Sequence, residues 1–223
     1  MKKCPGSLSF SQPKPDIVKC PDCGTDVEIW SDEATGSCPS CSKSVIRTVT
    51  QSCVDWCKYA KECLGDEKFK KYGEMKAVMR KPALMTAMAV AVGSDARRIE
   101  HAGKVASYAE MILAKETHAD PNVVLATAIL HDLDNANETI REILIQVGYP
   151  ELFSREVCDI ARHLHQPRPD ETINFKILHD AHSLAETEKQ WMRKRTKGAG
   201  DSFAPEFLTE SAMAVFLDLV NAV

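Results

Sequence analysis

The sequence predicts a mainly α protein, an all-helical domain behind a small cysteine-rich β module. Three observations carry that prediction. Eight of the nine cysteines fall within residues 1–63, with only Cys158 outside. Beyond residue 83 the apolar residues recur at intervals of three and four, the period of a helix with one buried face. Between the cysteine pairs the apolar runs Val27–Trp30 and Val45–Val49 have strand length instead.

The 223 residues are 44% apolar and 27% charged, which suits one medium domain plus a small one. The expected division is 1–65 for the cysteine module, 66–94 for a linker and helix, and 95–223 for the helical domain. A formal net charge of −4 argues against nucleic acid as a partner, since such binders carry a basic excess. The opening MKKCPGSLSFSQPKP has no apolar leader, which points to the cytoplasm, where clustered thiols read as metal ligands rather than disulfides. The longest apolar stretch, Ala83–Gly93, is about half the ~20 residues a bilayer requires, so it reads as a buried helix and no membrane partner is expected.

Taken in order, residues 1–19 hold Pro5, Pro13 and Pro15 and read as extended. Residues 51–82 are charged and end at Pro82, a linker with one or two short helices. Asp95–Glu116 places Ile99, Ala102, Val105, Ala109 and Ile112 near a 3.6 period. Asp120 is an N-cap and Pro121 the first residue of a helix to Leu133. Asn137 caps a helix that Gly148 and Pro150 stop. Further helices are expected at Glu151–His165, Thr172–Glu188 and Pro205–Asn221, with a loop at 197–201.

Cys20-Pro-Asp-Cys23 and Cys38-Pro-Ser-Cys41 are paired knuckles. Two intervening residues let a tight turn bring both thiolates to one ion. Gly24 suits the left-handed residue that follows such a turn, a place Ser42 takes in the second knuckle. Four thiolates make a closed tetrahedral site for structural zinc. Residues 18–50 resemble a zinc ribbon. Cys53, Cys57 and Cys63 follow, and Cys4 is the remaining N-terminal thiol. These four are expected to form a second site for zinc or an iron–sulfur cluster; individually buried cysteines or a redox pair are the alternative.

The helical part carries an ordered set of His and Asp: His101, then His131-Asp132, then His163, His165, His179, Asp180 and His182. With the small-residue run before His131-Asp132, the segment KILHDAHSL and the later FLTESA, this set resembles the HD superfamily of metal-dependent phosphohydrolases over residues 95–215. The resemblance implies His101, His131 and Asp132 as ligands of a divalent transition metal (Mn, Fe, Co, Ni or Zn), with Asp132 also catalytic. Where relatives carry a ligand Asp, this chain has His182, which either replaces the carboxylate as a ligand, giving a three-His, one-Asp site, or leaves the site without its usual metal. Two residues on a helix are about 200° apart, so Asp180 and His182 cannot both face one ion. His165, and less so His163, lies where relatives place a substrate-contacting or second-metal histidine. Arg97 shares a helix face with His101 and Lys104 and can bind a phosphate bidentately, or pair as a solvated cation with Glu100 or Asp95.

The resemblance implies hydrolysis of a small phosphorylated substrate, a phosphomonoester or nucleotide. The His182 replacement supports an alternative, a catalytically degenerate domain that binds nucleotide or metal as a sensor.

Overall fold

The computed structural model describes residues 12–47, 53–55, 57–133, 136–195 and 206–221. Cys4 and the 197–201 loop lie outside them. The chain divides into two compact units: residues 1–82 with 148–150, and residues 83–147 with 151–223.

The first unit opens with two hairpins. Strand β1 (Pro15–Lys19) pairs antiparallel with β2 (Asp26–Trp30), setting Ile17 opposite Glu28 and Val18 opposite Val27. Pro15 stands at the strand's first residue, where a missing N–H is tolerated. Strand β3 (Thr35–Ser37) pairs antiparallel with β4 (Ser44–Ile46). Period-two alternation buries Val27, Ile29 and Val45, and with Cys20 and Cys38 they form the hairpins' core. A Cβ on Gly36 would come within 2.8 Å of Ile29 Cγ1, so glycine lets β3 close on β2. The sequence marked the apolar β2 and β4; β3, reading Thr-Gly-Ser, carries no such signal.

A 3₁₀ turn (Cys53–Asp55) and helix α1 (Ala60–Leu64) follow. Beyond these short helices, where the sequence suggested a linker ending at Pro82, runs one long helix, α2 (Asp66–Ala91), with Pro82 inside it at the boundary between the units. Apolar residues on one face explain its length. Tyr72, Met75 and Met79 pack with Val54 and Ala60 despite the many charges around them. Two of those charges are themselves buried and paired. Lys76 Nζ lies 3.1 Å from Asp55 Oδ2, and Arg80 Nη2 lies 3.5 Å from Asp55 Oδ1. Burial pushes the Lys76 pKa down, against the pull of Asp55.

The second unit is helical: α3 (Ala96–Leu113), α4 (Pro121–Leu130), α5 (Ala136–Gln146), α6 (Glu151–His163), α7 (Ile173–Arg195) and α8 (Glu210–Asn221). Asp95 caps α3, its carboxylate accepting from the Arg97 and Arg98 N–H groups, and Asp120 caps α4 through Asn122 N–H. Every residue of α4 after Pro121 is buried, and the helix packs against α3, α5, α6 and α7. It is the axis of the unit. Helix α6 ends two residues earlier than expected, at His163, because Pro167 disfavours helix at Gln166. Helix α5 begins at Ala136, so Asn137 lies within it rather than capping it.

Asp180 ties α8 to α7. It is fully buried and accepts from Leu208 N–H at 2.9 Å, Thr209 N–H at 2.8 Å and Thr209 Oγ1 at 2.8 Å. Thr209 in turn caps α8 by accepting from Ala212 N–H. Asp180→Ala would break these part-buried bonds, so we expect a loss of about 1–3 kcal/mol in a urea unfolding curve, the range for hydrogen bonds to a charged group. An unchanged midpoint would show that the clamp carries no stability.

Candidate metal centres

The two knuckles are built alike. Gly24 N–H bonds the Cys20 carbonyl and Ser42 N–H bonds the Cys38 carbonyl, each at 2.9 Å. Gly24 and Ser42 both adopt positive φ, 74° and 59°. A left-handed residue therefore closes each turn, glycine in one and serine in the other. The turns bring Cys20 Sγ to 3.7 Å from Cys41 Sγ and Cys23 Sγ to 3.5 Å from Cys38 Sγ. Four sulfurs about 2.3 Å from one tetrahedral ion would sit about 3.8 Å apart. The four ligand atoms all lie within 4.8 Å of one another, so this zinc-ribbon-like module can hold zinc.

The thiols' acidities point the same way. The Thr25 hydroxyl and backbone, with Cys38, lower the Cys23 pKa to about 6. The Lys43 backbone favours the Cys41 thiolate, but burial and the three neighbouring cysteines outweigh it and raise its pKa to about 12. Four thiolates this close need a cation among them.

The expected second cysteine site includes Cys4, which lies outside the described residues. Among the described residues Cys53, Cys57 and Cys63 form no such ligand group. Cys53 and Cys57 pack against the apolar cluster of Val54, Tyr72 and Met79.

The second centre joins three helices. His101 comes from the middle of α3, His131 from the C-cap of α4 and His182 from the middle of α7. Their ring centroids are 5.4, 5.2 and 5.3 Å apart, and their ligand atoms all lie within 4.8 Å of one another. His131 Nδ1 is 2.9 Å from the Ala128 carbonyl oxygen. A carbonyl only accepts, so Nδ1 carries the proton and Nε2 keeps its lone pair for a metal. Burial, opposed by that bond and reinforced by His101, lowers the His131 pKa to about 4. Burial and the rings of His131, His101 and His165 lower that of His182 to about 3. Both rings are neutral at pH 7, the form that binds metal. Asp180, two residues before His182, faces its α8 clamp instead.

Other candidates divide clearly. Asp132 does not belong to the three-histidine group: Arg98 Nε engages its carboxylate at 3.2 Å. Arg97, favoured from the sequence, is exposed, and Arg98 takes the place beside the His-Asp pair. The spacing signal was present, because Arg98 lies three residues before His101 and so shares its helix face. His165, on the turn after α6, brings its ring centroid to 5.1 Å from that of His182. His163 is buried elsewhere, stacked on Phe175 at 4.9 Å, with Nδ1 bonded to the Asp159 carbonyl and Nε2 2.9 Å from Glu171. His179 faces Asp180 and Phe175. Glu186, not singled out from the sequence, lies 3.7 Å from His101 Nδ1.

Residues 98–189 match the family model of the HD domain. Comparison with curated proteins and with solved structures found no match in either. Among the described residues no helix is long and apolar enough to cross a membrane.

Two outcomes follow from these centres. Cys20→Ser or Cys38→Ser in the full chain should remove one zinc per chain by elemental analysis and unfold the hairpins; full zinc retention would exclude the thiolate site. In metal-free protein, the unfolded chain binds protons at His131 and His182 below about pH 6.5 while the folded one resists them to about pH 4 and pH 3. Stability from these rings is thus complete above pH 6.5 and falls as the pH drops towards 4. Unfolding midpoints at pH 7 and pH 5 in chelator should show this slope, and the His131→Gln/His182→Gln double variant should flatten it.

Proposed function

We propose that this chain hydrolyses a phosphomonoester or nucleotide and that residues 18–50 are a structural zinc module; the match of residues 98–189 to the HD domain, which suggests the metal-dependent phosphohydrolase superfamily, supports the reading. The observation that carries the reading is the convergence of His101, His131 and His182 from three helices onto one point of the unit. These three would hold the ion. Imidazole donors suit Mn, Fe, Co, Ni or Zn better than Mg or Ca, whose hard ions take oxygen. Bound there, a divalent ion supplies positive charge to a phosphoryl oxygen and lowers the pKa of water.

The remaining groups supply binding and proton transfer. Arg98, held through Nε by Asp132, has the planar guanidinium that suits two phosphate oxygens at once. His165 is exposed beside His182, a fitting place for a group that gives a proton to a departing alkoxide.

A second reading rests on the Arg98–Asp132 ion pair and on His182 standing where relatives have a carboxylate. The centre would then bind metal or nucleotide without turnover, as a sensor. Purified protein loaded with Mn, Co, Ni or Fe and screened on nucleotides and simple phosphate esters separates the two. Hydrolysis that falls to background in His131→Ala, with the helical circular dichroism kept, supports the enzyme. Metal uptake through the histidines without hydrolysis supports the sensor, and hydrolysis that survives His131→Ala overturns the assignment of the site.

A further inference from the structure

Glu186 lies one helical turn beyond His182 on α7, so both side chains leave the same face of that helix. Its Oε1 is 3.7 Å from His101 Nδ1 on α3. Its charge also reaches His182, opposing there the burial that keeps that ring neutral. The cation three residues beyond His101, Lys104, pairs elsewhere, with Glu188 at 3.3 Å and Glu100 at 3.8 Å.

The His131 ring shows what such a contact does. The Ala128 carbonyl accepts a hydrogen bond from its Nδ1–H and leaves the Nε2 lone pair free for a metal. We propose that Glu186 is the positioning carboxylate of this centre, accepting the Nδ1–H of His101 and so presenting that ring's Nε2 to the metal. The inference rests on the metal-site reading above. A carboxylate rotation of about 1 Å closes the contact to hydrogen-bond length. An outer carboxylate of this kind fixes the tautomer, holds the ring's orientation and strengthens the ligand.

Charge gives a second reason. His182, like His101 and His131, contributes a neutral donor and not an anionic one. Three neutral imidazoles and a divalent ion leave two positive charges in a half-buried site. Glu186 restores one negative charge next to the ligand shell without entering it, and at lower desolvation cost because its side chain is 44% exposed.

The test is metal affinity, read apart from activity. Full-length protein would keep its thiolate zinc, have the histidine centre stripped by a mild chelator, and be titrated with Co²⁺ in competition with a chelator of known affinity, following the d–d absorption. Glu186→Gln should weaken Co²⁺ binding 10- to 100-fold, the range for loss of an outer-shell partner. Its metal-free thermal midpoint should match wild type. Glu186→Asp should bind with intermediate affinity, and Glu188→Gln should bind as wild type does. Wild-type affinity in Glu186→Gln would overturn the proposal and leave the metal site standing. Equal weakening in Glu188→Gln would overturn it as a general charge effect. If His131→Ala takes up Co²⁺ as wild type does, the metal-site reading falls and the proposal with it.

Discussion

Three imidazoles whose centroids lie within 5.4 Å of one another cannot all carry a charge. Each imidazolium would lose its water and repel the other two. Burial and mutual repulsion therefore hold His131 and His182 neutral, with acidities well below the ordinary histidine range. The surrounding helices hold the rings in place. Helix α4 is buried almost end to end and packs on four neighbours, so apolar contacts hold His131 in place. What remains is a set of neutral donors fixed in position, to which positive charge is best added as one shared ion.

The thiolate module meets the same problem with the sign reversed. Four sulfurs gather around a core of three valine and isoleucine side chains and two of the cysteines themselves. So small a core cannot hold a fold without a staple. A closed set of four sulfurs offers no open position, which assigns the ion there to structure. The histidine centre is different in kind. It has three protein donors, an exposed histidine at its edge and an arginine close by. Ligand type also separates the two, since thiolates favour zinc and imidazoles accept a wider range of metals.

Two neighbouring residues on α7 show how one segment serves two ends. Asp180 turns towards α8 and spends its acceptor capacity on the Leu208 and Thr209 donors. His182, about 200° further round the helix, turns towards the metal centre. Asp180 thus clamps the fold, and His182 is the one at the candidate site. On the other side, Arg98 meets Asp132 and links the cap of α3 to the end of α4.

Several features were legible because they are local. The two-residue gap within each knuckle dictates the turn, so the four candidate ligands could be read without coordinates. Helical period, the Asp95 and Asp120 caps and the opposite facing of Asp180 and His182 depend on neighbours within one turn. Other features depend on which elements meet. Whether Arg97 or Arg98 reaches Asp132 depends on how α3 crosses the end of α4. That Cys53 and Cys57 join an apolar cluster follows from α2 continuing past its charges, which only its burial partners explain. Glu186 approaches His101 across two helices, a distance no spacing along either one encodes. Sequence periodicity sets the face on which a side chain leaves its helix; the packing of helices against each other decides what that face meets.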